Sequence, residues 1–205
     1  MHGRLITLEG GEGAGKSTQA QRVCAWLRAR GRVVELTREP GGTELAEAIR
    51  ALVLRRWTEG IDPPTELLLM FAARAAHVRG LIQPRLAAGV DVVCDRFIDS
   101  SYAYQGAGQG IELRHVQALE ALVLPALRPH LTLVLDLPPE LGLARARQRG
   151  EANRFEDETL AFMRRVRECF LARAAADPQR CAVIDASGNP DSVFAGIVAV
   201  LEQRL

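Results

Sequence analysis

Lysine is nearly absent: of the 26 Lys and Arg residues one is a lysine, Lys16, and all the others are arginine. A chain that uses arginine almost everywhere has kept a compact ammonium in one place, where a planar guanidinium does not serve. An excess of either charge is missing too. The 25 acidic residues leave a formal net charge of +1, which excludes a broad attraction to nucleic acid or to an anionic membrane and leaves room only for a focal basic patch. Cys24, Cys94, Cys169 and Cys181 lack C-x-x-C or metal-ligand spacing, and Cys94 and Cys181 sit in or beside strand-like runs where a thiol packs as a small hydrophobe. His2, His77, His115 and His130 are isolated, which argues against a histidine metal site and for solvated or core histidines. No apolar run reaches the roughly 18 residues of a membrane span. Met1-His2-Gly3-Arg4 leads into a strand rather than a signal peptide, so the expectation is a reduced, cytoplasmic protein. Internal repeats, low-complexity tracts and interdomain linkers are also missing. With 205 residues and 48% hydrophobic content, a single domain over 1–205 with one substantial core is expected.

What is present is a glycine-rich stretch around that lysine. Gly10-Gly11-Glu12-Gly13-Ala14-Gly15-Lys16-Ser17 fits G-x-x-x-x-G-K-S/T, follows the apolar run Leu5-Ile6-Thr7-Leu8 and is continued by Thr18. Such a loop curls so that successive backbone N–H groups face an anion, and the helix starting near Lys16 adds the positive end of its dipole. Residues 10–18 are therefore the candidate site for a nucleotide. Lys16 would reach its β- and γ-phosphates, and the Ser17 hydroxyl would ligate Mg²⁺.

The remaining pattern alternates strands with helices. After a helix from Ser17 to Arg30 stopped by Gly31, Val33–Leu36 reads as strand two, and Thr37-Arg38-Glu39-Pro40-Gly41-Gly42-Thr43 as a loop. Thr43 can cap a helix from Glu44 to about Trp57, and Pro63 opens a long helical pattern to Gly89, bent or broken near Pro84. Val90–Asp95 is strand three, residues 96–110 a second site-forming loop, and Glu112 to about Leu122 a helix. Leu131–Asp136 is strand four, followed by a helix from Pro139 to about Arg149 and an Arg-rich segment to Arg154. A helix from Asp157 to Ala176, a strand over Ala182–Asp185 and a terminal helix from Pro190 complete the chain. This order implies an α/β fold with a parallel sheet covered on both faces, whose ligands sit beyond the strand ends.

Arg38 and Arg96 each follow a strand on the sheet edge that carries the glycine-rich loop. Singly each is as readily a solvated charge; together they point to a second, acceptor phosphate. Asp95 either holds a Mg²⁺-bound water or orients Arg96, or else serves as an N-cap or ion pair. Phe71 and Arg74 are i, i+3 neighbours on the long helix; Phe71 alone suits a core, whereas Arg74 in an apolar stretch needs a buried partner, such as a nucleobase carbonyl. Ser101, Tyr104 and Gln105 share one face if their segment is helical, and an amide can read a base edge. Arg145, Arg147, Arg149 and Arg154 surround Gly150. A solvated helix end suits Arg145 or Arg147, and a lid that brings a cation to the transferring phosphoryl needs only one of the four.

With these segments in hand, the chain resembles the bacterial thymidylate kinases. The likeness rests on Leu8-Glu9-Gly10 leading into the loop with Glu12, on Thr37–Thr43, Leu69-Met70-Phe71-Ala72-Ala73-Arg74, Asp95-Arg96-Phe97 and Tyr102-Ala103-Tyr104-Gln105-Gly106, and it covers nearly the whole chain. The resemblance implies a three-layer P-loop kinase fold with a central five-stranded parallel sheet and a short Arg-rich lid at about 145–156. It also implies a homodimer and ATP-Mg²⁺-dependent conversion of dTMP to dTDP by direct in-line transfer, feeding dTTP synthesis. By resemblance, Glu12 lies near the sugar 3′-hydroxyl, Arg38 and Arg96 hold the acceptor phosphate, Phe71 stacks on thymine, and Arg74 meets its O4. Ser101 and Gln105 approach the base edge, and Tyr104 crowds the sugar 2′ position. The catalytic set is then Lys16, Asp95, Arg96 and a lid arginine, Arg149, with Ser17 and Asp95 at the metal. Phe97 stands where many relatives have tyrosine, and Gln109 where they have arginine.

The acceptor phosphate has a second pKa of about 6 and is largely an anion at neutral pH, so no general base is needed. The obstacle is repulsion between polyanions, about 4 kcal/mol per unit-charge pair at 4 Å and an effective dielectric near 20. Lys16, Mg²⁺, Arg38, Arg96 and a lid arginine answer it. Two rivals remain at the level of sequence: a P-loop kinase for another nucleotide or nucleoside, and a nucleotide switch or assembly ATPase with no small acceptor.

Overall fold

The computed structural model describes residues 3–149 and 159–205, with residues 147–149 described as backbone alone. Within these, β1 (Leu5–Glu9) leads to α1 (Lys16–Arg28), β2 (Val34–Arg38), α2 (Glu44–Leu54) and α3 (Pro63–His77). A π-helical turn at Val78–Ile82 joins α3 to α4 (Gln83–Ala87), and β3 (Asp91–Asp95) and α5 (Ile98–Ser101) follow. A second π-helical segment, Tyr102–Gly108, precedes α6 (Leu113–Val123), β4 (Leu131–Asp136), α7 (Pro139–Arg149), α8 (Leu160–Ala176), β5 (Cys181–Asp185) and α9 (Pro190–Arg204).

The five strands pair in the order β2-β3-β1-β4-β5, every pairing parallel. Alternation along each strand assigns its side chains to two covered faces, as a buried parallel sheet requires. Ile6, Leu8, Leu133 and Ile184 pack with α1 and α9. Leu5, Val92 and Cys94 pack beneath α3 and α6, and Val134 and Cys181 beneath α8. α2 lies outside α3, joined by Ile49, Val53 and Met70. This is the three-layer arrangement expected. Asp95 pairs in register with Leu8 on one side and Arg38 on the other, so the strand ends carrying the candidate residues finish level.

Local chemistry explains the helix starts. Thr43 accepts from Ala46 N at 3.3 Å, Asp62 from Thr65 N with Pro63 and Pro64 in the first turn, and Asn189 from Ser192 N at 2.9 Å. The break expected near Pro84 is present, and two other expectations change. The long helix breaks at the π turn before Pro84, whose ring has no N–H to return to the carbonyl of Gly80. Residues 96–110, expected as a loop, are mostly helical, because burial against α8 outweighs the low helix propensity of Gly106 and Gly108. Gly108 is needed there: a Cβ on it would lie 2.6 Å from the Phe162 ring of α8. α2 ends at Leu54 rather than near Trp57, and α8 is capped by Thr159, which accepts from Phe162 N at 3.2 Å; the expected start at Asp157 lies outside the described residues. Cys24, Cys94 and Cys181 are buried thiols.

Candidate active site

The turn after β1 is the candidate anion cradle. Gly13 and Gly15 have φ of 74° and 83°, a region that disfavours side chains. A Cβ on Gly13 would also lie 2.2 Å from the Gly142 carbonyl oxygen, so the loop packs directly on α7, the helix leading towards the candidate lid. Lys16 is buried and donates to Gly11 O at 2.8 Å. Burial, and then the nearby Arg96 charge, lowers its ammonium pKa to about 8. The Ser17 hydroxyl donates to Asp95 Oδ2 at 2.5 Å, closing the crevice between β1 and β3.

Arg96 is the one non-glycine residue with positive φ among the described residues, at 68°. Such strain persists where the surroundings over-determine it. Its N–H donates to Leu8 O at 2.9 Å, and its guanidinium to Gly10 O, Tyr104 Oη and Glu12 Oε1, the last at 2.6 Å. Burial disfavours this cation, but Tyr104, Glu12, Asp95 and Glu9 hold its pKa above the ordinary value. Beneath it, Glu9 is buried and accepts from Phe97 N and from Ser100 Oγ, at 2.9 and 2.6 Å. Burial and then Asp99 push the Glu9 carboxyl up to about 7.

One cavity of about 220 Å³ connects these groups. At the β1 end it is lined by Glu12, Gly13 and Gly15–Thr18; at the β2 end by Arg38, Glu39, Pro40 and Arg50; and between them by Asp95, Arg96, Tyr104 and Gln105. Arg38 is half-exposed and pairs with Glu47 at 2.9 Å, a contact worth about 0–1 kcal/mol that an incoming anion can replace. Arg50 donates to Pro40 O, and burial, followed by the Arg38 charge, lowers its pKa. A buried cation held below its ordinary pKa, with a second guanidinium beside it, favours the approach of negative charge. Among the described residues no group of three or more His, Cys, Asp or Glu is placed to hold a metal. The Ser17–Asp95 oxygen pair nevertheless suits a hard divalent ion that keeps waters and phosphate oxygens as its other ligands.

Phe71, Arg74 and Ser101 lie behind this cavity rather than on its lining. The buried partner that Arg74 requires is supplied by the protein: it donates to Glu39 Oε2 at 2.7 Å, to Ser101 Oγ at 2.9 Å and to Phe97 O at 3.0 Å. Its guanidinium stands 4.8 Å from the Phe71 ring centre. Glu39 also meets His77 Nδ1, whose Nε2 lies 2.7 Å from Thr37 Oγ1, so a buried chain of polar groups braces the loop that carries Arg38.

A family model described as "Thymidylate kinase" matches residues 8–197. The chain belongs to the thymidylate kinase family. It is 54% identical to a thymidylate kinase of Pseudomonas fluorescens over 205 residues, 100% of this chain and 98% of that one. It is 55% identical to one of Chromohalobacter salexigens, over 99% of this chain and 97% of the relative. The crystal structure of thymidylate kinase from Ehrlichia chaffeensis superimposes with a TM-score of 0.81 at 34% identity, covering 98% of this chain and 100% of that one.

Within this family's fold the structure brings Glu12, Lys16, Ser17, Arg38, Asp95, Arg96, Tyr104 and Gln105 to one cavity. The candidate lid falls partly outside the described residues, as do the side chains of Arg147 and Arg149 and the whole of Arg154. Arg145 is not a solvated helix end: it donates to Ala186 O and Ser187 O at 2.8 and 2.7 Å, holding the turn before α9. Sequence reasoning missed Arg50, Glu39 and Met70 on the lining. A lone arginine in the apolar run of α2, three residues after Glu47, was the available signal for Arg50.

Proposed function

We propose that this chain transfers the γ-phosphoryl group of ATP to dTMP, giving ADP and dTDP, by direct in-line displacement that supplies dTTP synthesis. The observation that carries the reading is the cavity whose β1 end is a phosphate cradle with Lys16 and whose β2 end holds Arg38 and Arg50, with Arg96 between. A site for one nucleotide alone has no need of the second cation set.

The donor phosphates lie on the N–H groups of residues 10–18, with Lys16 on the β- and γ-phosphates. Mg²⁺, when bound, neutralises charge on the donor phosphates, and Ser17 and Asp95 are the oxygen ligands that would hold it, directly or through water. Arg38 leaves Glu47 for the acceptor phosphate, and Arg96, already fixed by Gly10 and Glu12, sits where charge develops. Because Arg96 is preset, little reorganisation is left for the moment of transfer. Arg149 completes the charge from a lid at about 145–156. Glu12 orients the 3′-hydroxyl, and Tyr104, hydrogen-bonded to it, crowds position 2′. The base lies towards Met70 and Gln105, with Phe71 as its stacking plane, Arg74 for its O4 and Ser101 nearby. Phe71 is 2% exposed, so this contact requires the wall to part.

The chain acts as one domain over 1–205 in the cytoplasm; no described helix is long and apolar enough to cross a membrane. A second copy is the proposed partner. α2, α3 and α6 lie side by side and leave Leu45, Leu52, Leu68, Leu113 and Leu122 exposed on one layer, which supports a self-complementary dimer face. Sedimentation should give a dimer that Leu68→Glu dissociates. The activity is tested by ADP release from ATP and Mg²⁺ with dTMP, dUMP, dCMP, dGMP, AMP or no acceptor. Turnover with dTMP at least tenfold above dCMP and the purine nucleotides is expected; equal release without an acceptor would mean a nucleotide switch or ATPase instead.

A further inference from the structure

Two amides converge on one carboxylate beside the cavity. Gln105, on the cavity wall, and Gln109, in the turn that ends the π-helical segment, both donate from Nε2 to Glu66 Oε1, at 2.7 and 2.9 Å. Glu66 is fully buried on α3, and Gln105 is 1% exposed. A carboxylate only accepts, so each amide has to face it with nitrogen; the partner's chemistry dictates which end of the amide is which. Among the described residues, the Oε1 atoms of both glutamines are buried without a hydrogen-bond partner. A buried acceptor in that condition is costly until a donor reaches it. Gln105 is the one of the two on the cavity lining.

We propose that Glu66 is a positioning residue that sets the hydrogen-bond polarity of the acceptor-base pocket. By holding Gln105 Nε2 it leaves the amide oxygen as the atom that meets the base, so the pocket is built to accept from an N–H. The inference rests on the dTMP reading of the site and adds to it the reason that one class of base is selected. A pyrimidine-2,4-dione carries a hydrogen on N3. Cytosine carries a lone pair there and would oppose acceptor to acceptor. dUMP shares the N3–H, so Glu66 does not separate it from dTMP. In Glu66→Gln, an isostere, the new amide can donate to Gln105 Oε1, and Gln105 can then turn its nitrogen to the ligand.

The test is the ratio of kcat/KM for dTMP to that for dCMP, in the full-length enzyme and in Glu66→Gln, with KM for ATP as control. The ratio is expected to fall at least tenfold, through loss on dTMP and gain on dCMP, with KM for ATP unchanged. An equal loss on both acceptors, or an unchanged ratio, overturns the inference, since a merely structural role lowers both alike. If the unsubstituted enzyme does not prefer dTMP at all, the function reading fails first. Should Glu66→Gln not fold, the unsubstituted protein decides. The side-chain NH₂ signals of Gln105, assigned by their loss in Gln105→Met, should be protected from solvent exchange with and without dTMP. Fast exchange in either condition, or protection that appears only with dTMP, overturns it.

Discussion

Ser17 Oγ lies 2.5 Å from Asp95 Oδ2 across 78 residues of sequence, the first turn of α1 against the last residue of β3. Neither side chain has chemistry of note alone; together they make an oxygen pair at the mouth of the phosphate cradle. Asp95→Ala should raise the Mg²⁺ concentration for half-maximal rate by about ten- to a hundredfold, the usual loss when a metal's supporting carboxylate is removed. KM for dTMP should stay near its original value. A Mg²⁺ titration of initial rates checks this, and an unshifted midpoint would move the metal away from Asp95.

Arg149 ends α7 within the segment whose side chains are not described. Arg149→Ala should lower kcat by roughly 10²–10³, the scale for losing one preorganised cation at a developing charge. Stability should hardly change. Unaltered turnover would transfer the lid role to Arg147 or Arg154; Arg145 is already engaged with Ala186 and Ser187.

Arg74 makes a different prediction, because its partners are internal. Arg74→Ala strands the buried carboxylate of Glu39 and should cost about 3–5 kcal/mol of stability as well as activity. Urea denaturation measures it. A variant as stable as the parent, with only KM for dTMP raised, would make Arg74 a ligand group and nothing more.

Glu9 should make stability depend on pH. Burial, with Asp99, holds its folded pKa at about 7, above the ordinary carboxylate value of 4.5. The folded state therefore binds this proton more tightly than the unfolded chain. The stabilisation is complete below pH 4.5 and is lost as pH rises through 7. Between pH 5 and 8 the unfolding free energy should fall relative to that of Glu9→Gln, by on the order of 1–3 kcal/mol. Urea curves for both proteins at several pH values test the sign, and parallel profiles would contradict it.

The sequence alone determined which chain segments become strands and where the glycine-rich turn with its lysine sits. Apolar runs such as Leu131–Asp136 and the spacing of glycines ahead of Lys16 are local signals, since a strand's burial pattern and a loop's backbone freedom are properties of neighbouring residues. The same locality made Thr43 readable as a helix cap. Tertiary structure alone decided how polar groups far apart in sequence share protons and charge. Glu39 as the partner of Arg74, Arg50 on the cavity lining, the helical form of residues 98–108 beneath α8, and Glu66 as the anchor of two amides all depend on which buried surfaces meet. A hydrogen bond acts over about 3 Å, so its existence is set by the packing that brings donor to acceptor.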